Sequence, residues 1–320
     1  GYLLNPTTYT SGSNQFWNFC TDGAGSVLGV GKNATLKIST NQARSFTTGT
    51  PGNSFAGDFR DCAFGNGVFV AVGVTGSHNG VIQSSTSGAS WTERVNDAAY
   101  GFFSVAWNGS VFVALGDDGG TGCITYTSSN GTSWTSHAQS SGKFVSTRLV
   151  AGVGGLFVGA DATHPVTSPD GVTWTQRSWG GTSTLNAGQI AYSTGQGFVA
   201  YGTNGASHRE IQTSPDGLTW TQVRLDSVSG FAGSVLVTDL CALALGAVNP
   251  IPGSSAGDLD WVSASGVSSS TSDTRTPGGR GAYGGQGNAR VLKVYPHVAL
   301  AIGDNISAAG AYSVSQTWAC

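Results

Sequence analysis

An eight-residue segment returns in this chain with one residue changed. Ser168-Pro169-Asp170-Gly171-Val172-Thr173-Trp174-Thr175 returns as Ser214-Pro215-Asp216-Gly217-Leu218-Thr219-Trp220-Thr221, and repetition of this kind restricts the fold to arrays of one supersecondary unit. Weaker copies run over 85–92, 128–135 and 40–47, the last with Phe46 in place of tryptophan. An apolar run ending in glycine precedes each copy, as in Val68-Phe69-Val70-Ala71-Val72-Gly73, Val111-Phe112-Val113-Ala114-Leu115-Gly116 and Gly197-Phe198-Val199-Ala200-Tyr201-Gly202. From that glycine to the aromatic is 18 positions for Gly73–Trp91, Gly116–Trp134 and Gly202–Trp220, and 15 for Gly31–Phe46 and Gly159–Trp174. The shorter spacing also joins Gly246 to Trp261 and Gly303 to Trp318, so seven repeats are expected.

Successive aromatics, at 46, 91, 134, 174, 220, 261 and 318, lie 40 to 57 residues apart. Four strands of about 5–6 residues with their turns need ~40–45 residues, the unit of a β-propeller blade. In the second repeat Asp61–Gly65 is expected as the inner strand, Val68–Gly73 as the next, Gly80–Ser85 as the third and Trp91–Val95 as the outer one. Phe-Val-Ala-Val without polar alternation suits a strand covered on both faces by neighbouring sheets. Asp-Gly and Asn-Gly supply the positive-φ residues of a tight hairpin between third and fourth strands. The tryptophan then wedges its blade against the neighbour. The sequence therefore predicts an all-β fold, a seven-bladed β-propeller with four-stranded antiparallel blades in one domain over 1–320. Tyr2–Thr10 are expected to supply the N-terminal strand that closes the ring. Residues 267–288, rich in Gly and Ser, break the pattern and are expected as an inserted loop, either a partner-binding arm or a flexible linker.

Glycine numbers 50 and methionine 0, and no window holds a sustained 3.6-residue apolar period, so helical folds are disfavoured. Charged residues make up 10% of the chain and the net charge is −3, against about 25% charged residues in average soluble proteins. Basic residues are spread singly from Lys32 to Lys293. They form no stripe that would displace counterions from a phosphate backbone, so no nucleic-acid partner is expected. The longest apolar candidate, Leu240–Val248, falls well short of the ~18 residues of a membrane span, and no membrane insertion is expected. The start, Gly1-Tyr2-Leu3-Leu4-Asn5-Pro6, lacks the basic and apolar regions of an uncleaved signal peptide and fits a product made in the cytoplasm.

Five cysteines, Cys20, Cys62, Cys123, Cys241 and Cys320, show no short spacing and read as free thiols. Cys20 and Cys62 stand as equivalent residues of neighbouring repeats, which places them about 10 Å apart if sheets stack face to face. That exceeds the ~4.4–6.8 Å a disulfide spans between Cα atoms. His78, His137, His164, His208 and His297 have no HxH or HxxxH spacing, so neither metal nor cofactor is expected. Asp117-Asp118-Gly119-Gly120 reads as an acidic turn, with a calcium cup as the other reading. Of the sequons at Asn33, Asn108, Asn130 and Asn305, Asn108 and Asn130 precede glycine and read as turn residues.

The Ser-Pro-Asp-Gly-x-Thr-Trp copies resemble the Asp-box, or bacterial neuraminidase repeat, of sialidases and other propellers, although one residue shorter between Asp and Gly. The resemblance implies the propeller fold and boxes that are turns remote from any active site. Asp170 and Asp216 are accordingly expected as turn-formers. A sialidase would also need an arginine trio for the substrate carboxylate, an acid that activates a tyrosine nucleophile and a second acid. The only glutamates are Glu93, in an expected outer strand, and Glu210, at an expected strand start, and no Phe-Arg-Ile-Pro segment occurs. No catalytic, cofactor-binding or metal-binding residues are assigned.

Propellers with these repeats and few charges also resemble proteins encoded in phage structural gene clusters. The resemblance implies a non-enzymatic structural protein of a phage virion, as capsid decoration, fibre or tail component, made in the host cytoplasm. Its partners would be other virion proteins and cell-surface glycans. Two alternatives stand beside it. One is a secreted, lectin-like propeller in which Trp17, Trp107 and Trp179 stack on sugar faces. The other is a sialidase-like glycoside hydrolase.

Overall fold

The computed structural model describes residues 16–41, 45–120, 122–139, 150–151, 153–161, 163–181, 185–193, 197–206, 208–229, 231–237, 242–247, 259–262, 268–270, 290–295, 298–302 and 317–318, and beyond Val223 it describes the backbone alone. The described residues are almost wholly strand and turn, and no helix among them is long and apolar enough to cross a membrane.

The unit Ser13–Arg177 holds four antiparallel meanders with strands in chain order. The first is β1 (Phe16–Thr21), β2 (Val27–Gly31), β3 (Thr35–Ser39) and β4 (Thr47–Thr48). The second is β5 (Asp58–Gly65), β6 (Val68–Val74), β7 (Gly80–Ser85) and β8 (Thr92–Asp97). The third is β9 (Gly101–Trp107), β10 (Phe112–Asp117), β11 (Cys123–Ser128) and β12 (Thr135–Gln139). The fourth is β13 (Val150–Ala151), β14 (Phe157–Ala160), β15 (Pro165–Ser168) and β16 (Thr175–Gln176). The other unit, Gly1–Gly12 with Ser178–Cys320, holds a meander of β17 (Leu185–Ser193), β18 (Gly197–Asn204), β19 (His208–Ser214) and β20 (Thr221–Ser229). It continues with β21 (Phe231–Val237), β22 (Ala242–Ala247), β23 (Leu259–Val262) and β24 (Ser268–Ser270), then with a three-stranded sheet of β25 (Arg290–Tyr295), β26 (Val298–Ile302) and β27 (Thr317–Trp318).

The second strands of the first four meanders are apolar on both faces because both faces are covered. β2 and β14 are buried throughout, and β6 and β10 along all but one terminal residue. The outer strand β8 instead alternates between exposed and half-buried residues, as a strand with one wet face must. In three repeats the tryptophan reaches the preceding blade: Trp91 packs with Leu36 and Ile38, Trp134 with Val70, and Trp174 with Val113 and Leu115.

Five of the glycines that end the apolar runs lie beside a β-bulge. Pairing skips Trp17 in β1, Arg60 in β5, Phe103 in β9, Gly188 in β17 and Gly233 in β21, next to Gly31, Gly73, Gly116, Gly202 and Gly246 respectively. The bulge pushes the inner strand's backbone against its partner. A Cβ on Gly73 would overlap the Asp58 carbonyl oxygen, and one on Gly116 would come within 2.9 Å of the Gly101 carbonyl oxygen.

The expectation of a seven-bladed propeller with four-stranded blades is corrected, since the structure shows five blades with four strands or fewer in each. The aromatic stands at the entrance to the fourth strand in five blades, as Phe46, Trp91, Trp134, Trp174 and Trp220. Trp261 and Trp318, counted as two further markers, lie in third strands, opposite Leu243 and Ala299. Eleven residues separate β22 from β23, against five between β6 and β7, so a fifteen-residue gap from Gly246 ends one strand too early. Sheets have four strands or fewer, and the last has three. Tyr2–Thr10 lie outside the described residues. Ser268–Ser270, within the segment expected to be an inserted loop, form β24 against β23, and 271–288 lie outside the described residues.

The reading of Cys20 and Cys62 as separate thiols is also corrected, for they form a disulfide with Cα atoms 5.8 Å apart. They are not equivalent residues. Counted from the bulges at Trp17 and Arg60, Cys20 matches Ala63 and Cys62 matches Phe19. Equivalent residues of stacked blades point the same way, whereas a one-residue stagger reverses the face. The sequence separation of 42 therefore turns the two sulfurs toward each other. The inner strands also come closer than the ~10 Å of flat sheet packing, as the hydrogen bonds from Asn18 and Ser104 to Asp61 require.

Candidate functional site

In the Ser13–Arg177 unit each inner-strand bulge turns one side chain out of the ladder near the start of its strand, namely Trp17, Arg60 and Phe103. The Arg60 guanidinium lies 4.5 Å from the Trp17 ring centroid, and its Nη2 is 3.3 Å from Asp58 Oδ2. Arg60 Nε is buried without a hydrogen-bond partner among the described residues. Asp58 Oδ1 accepts the Asn33 amide at 3.1 Å, which fixes the carboxylate beside the guanidinium. The His78 ring sits 5.7 Å from that of Phe103, on the hairpin between β6 and β7. Its Nε2 is 2.9 Å from the Asp117 carbonyl oxygen and 3.0 Å from Asp117 Oδ1, so Nε2 carries the proton and links the second blade to the third.

One residue further along the inner strand, Asp61 is buried. It accepts from Asn18 Nδ2 in β1, from the Cys62 amide at 2.9 Å, and from Ser104 Oγ at 2.8 Å and the Val105 amide at 3.0 Å in β9. Four donors compensate a carboxylate removed from water and tie three inner strands together. Asn18, Asp61 and Ser104 are 43 residues apart in turn.

The hairpins between third and fourth strands share one hydrogen-bond plan. In the fourth blade Ser168 Oγ donates to Asp170 Oδ1 at 3.0 Å and accepts the Gly171 amide at 2.8 Å, while Asp170 Oδ1 accepts the Val172 and Thr173 amides at 2.8 and 2.9 Å. Ser214, Asp216 and Gly217 repeat it, and Ser128, Asn130 and Gly131 do so with an amide in place of the acid. Partial burial raises the Asp170 carboxyl, but the amides of Thr173 and Val172 and the Ser168 hydroxyl outweigh it and hold it below the ordinary carboxylate value. The Thr219 and Leu218 amides do the same for Asp216. Gly171 takes φ +76°, and Thr125 Oγ1 of the preceding blade donates to its carbonyl at 2.8 Å. The tips leave Val172 39% and Leu218 43% exposed.

The sequence candidates fall into place as parts of the frame. Asp170 and Asp216 hold turns. Glu93 Oε1, on β8, accepts from Asn53 Nδ2 at 2.9 Å and Asn96 Nδ2 at 3.3 Å, and Glu210 is buried in β19 beside the Gln212 amide. Asp118 Oδ1 accepts the Gly120 and Gly122 amides at 2.8 and 3.0 Å, and Asp117 Oδ1 the Gly119 amide at 2.9 Å, the pattern of an acidic turn. Among the described residues no group of three or more His, Cys, Asp or Glu is placed to hold a metal. Asn108 and Asn130 are turn residues, each accepting two amides, and Asn305 lies outside the described residues. Trp17 lies under Arg60, Trp107 is 4.4 Å from Phe112, and Trp179 is 4.8 Å from Trp220 in a T-shaped pair. Each of these three rings is half-buried.

Sequence reasoning missed Arg60, Asp61, His78 and two glutamines. Gln83 exchanges hydrogen bonds with the Gly52 backbone at 2.9 and 3.0 Å, and Gln212 with Gly180 at 2.7 and 3.0 Å, each clamping the connecting segment that leads into its blade. Both glutamines stand two places before the serine of their box, a signal visible in the sequence.

A family model for the DUF6242 beta propeller domain matches residues 95–231. No curated protein sequence matches the chain. Among solved structures the chain is similar to YCF48 bound to a D1 peptide, with a TM-score of 0.66 and 14% identity over 94% of this chain and 93% of that one. YCF48 from Cyanidioschyzon merolae gives a TM-score of 0.64 and 11% identity over 98% and 97%. The extracellular domain of a hybrid two-component system from B. thetaiotaomicron gives 0.65 and 11% over 97% of this chain and 39% of that one. At these identities the likeness establishes the β-propeller fold.

Proposed function

We propose that the chain is a non-enzymatic structural protein of a phage virion, a capsid decoration, fibre or tail component that presents its blade ends for assembly or host attachment. The observation that carries the reading is where the polar side chains are committed. Asp170 and Asp216 face their own turn amides, Asp61 joins three inner strands, and Gln83 and Gln212 clamp incoming chain. Among the described residues these groups hold the chain's own turns and inner strands, which suits a rigid particle component. The Asp-box likeness of these turns is part of the same reading. The Cys20–Cys62 bond supports it, because disulfides persist in oxidising surroundings such as virion and cell surfaces. YCF48, of similar fold, is bound to a peptide, and a propeller surface that receives a neighbouring chain is what assembly requires.

For the lectin alternative, Trp17, Trp107 and Trp179 are half-buried, each packed against another ring or a guanidinium. Mass spectrometry of purified particles tests the proposal. The chain is expected in fixed proportion to capsid or tail proteins, with a fluorogenic sialoside left uncleaved. Recovery of the chain solely as free protein in the medium, or release of the fluorophore, would overturn it.

A further inference from the structure

We infer that Cys20 and Cys62 form a redox-gated latch that closes on folded blades, with Cys20 as the entry thiol and Cys62 as the resolving one. Three observations converge. The one-residue stagger between the inner strands faces the two sulfurs, with Cα atoms 5.8 Å apart, inside the span a disulfide needs. The approach is set without the bond, because Asn18 of β1 donates to Asp61 of β5 and Asp61 in turn accepts the Cys62 amide at 2.9 Å. The two sulfurs also differ in access. Cys62 is 5% exposed inside the cluster of Leu28, Phe59 and Ala71, whereas Cys20 is partly exposed at the margin of that cluster.

The chemistry follows from that difference. The Cys20 thiolate attacks one sulfur of a small-molecule disulfide such as oxidised glutathione, forming a mixed disulfide and releasing one thiol. The Cys62 thiolate then attacks the Cys20 sulfur, forms the Cys20–Cys62 bond and releases the second thiol. Two protein thiols give up two protons and two electrons, and the oxidant's sulfur–sulfur bond receives them. A reducing cytosol runs the exchange backwards. The bond fastens the first blade, whose outer strand β4 has just two residues, to the second. Resting on the virion reading, the latch stays open during synthesis in the host and closes once the particle meets an oxidising medium. The exchange itself is a property of the chain and holds apart from that reading.

The experiment equilibrates the full chain in reduced and then oxidised glutathione and follows it by peptide-mapped alkylation and amide hydrogen exchange. With Cys62→Ser, oxidised glutathione is expected to leave a stable mixed disulfide on Cys20, and with Cys20→Ser the native chain is expected to stay unmodified at Cys62. In the wild-type chain, which needs no variant to fold, reduction is expected to speed exchange in β1–β4 by about tenfold while β9–β12 stay unchanged. A mixed disulfide trapped on Cys62, or equal exchange of β1–β4 in both redox states, would overturn the latch. Mapping the same thiols in particles before and after release tests the timing. Absence of the chain from particles would sink the virion reading and leave the exchange result standing.

Discussion

The Trp174 indole Nε1 donates to the Gly171 carbonyl oxygen at 3.2 Å, and the same bond joins Trp220 to Gly217, Trp134 to Gly131 and Trp91 to Gly88 at 3.2, 3.3 and 2.9 Å. One side chain thus closes its own hairpin and fills the gap to the preceding blade. Tryptophan does both because it offers a large apolar surface with a single donor at its edge.

The two roles separate by substitution. Trp174→Ala removes ring and donor and is expected to cost about 3–5 kcal/mol. Trp174→Phe keeps most of the packing against Val113 and Leu115 and is expected to cost nearer about 1 kcal/mol for the lost hydrogen bond. Urea unfolding measures both. Equal losses would assign the stability to the bond and not to the wedge.

The acid in the hairpin is exchangeable for its amide, since Asn130 already accepts the Thr132 and Ser133 amides at 2.9 Å each. Asp170→Asn and Asp216→Asn are each expected to cost under about 1 kcal/mol at pH 7, and Asp170→Ala to cost about 1–2 kcal/mol, as for a lost N-cap. Both carboxyls are held below the ordinary value of 3.8 in the folded chain. Their contribution is therefore complete above that value and lost as pH falls through the folded one. Solvent screening keeps it under about 1 kcal/mol per hairpin. Between pH 6 and pH 3 the lead of wild type over the double Asn variant in denaturation is expected to shrink. A gap that widens toward pH 3 would contradict the sign.

Much of the blade was legible because it is local. Val68–Gly73, Gly80–Ser85 and the Asp-Gly turns are specified by runs of a few residues, and the observed strands fall on them. The glycine marker was legible as a position but not as a cause, since the bulge it accommodates depends on the partner strand. What escaped needed register. Trp261 carries the right spacing from Gly246 yet lies in a third strand. Cys20 and Cys62 miss equivalence by one residue, which reverses a side chain's face. Asp61 gave no motif because its donors come from two other blades, although its 43-residue spacing from Asn18 and Ser104 follows the repeat.

The bulge makes a sharp prediction for glycine. A Cβ at Gly73 meets the Asp58 carbonyl and Phe59 Cα, backbone that cannot swing aside, whereas Gly76, on the adjoining hairpin, has open space around it. Gly73→Ala is expected to cost about 1–3 kcal/mol through overpacking, and Gly76→Ala to stay within about 0.5 kcal/mol. Thermal melts of the pair distinguish them. A neutral Gly73→Ala would mean that the bulge is not held in solution.

Asp61 carries the largest expected effect. Its Oδ1 accepts from Asn18 and the Cys62 amide and its Oδ2 from Ser104 and the Val105 amide, so removing the carboxylate leaves donors of three inner strands without an acceptor. Hydrogen bonds to a charged group contribute about 1.5–3 kcal/mol each and do not add, so Asp61→Ala is expected to cost about 3 kcal/mol or more. Asp61→Asn keeps the size but must aim an amide N–H at a donor. It is expected to lose most of that amount, unlike Asp170→Asn, whose second carboxylate oxygen accepts no backbone amide in the hairpin plan. The contrast between the two Asp→Asn changes, read by urea unfolding of the oxidised chain so that the disulfide is common to both, separates a buried clasp from a surface turn. Equal tolerance at both positions would show that the inner strands hold together by packing alone.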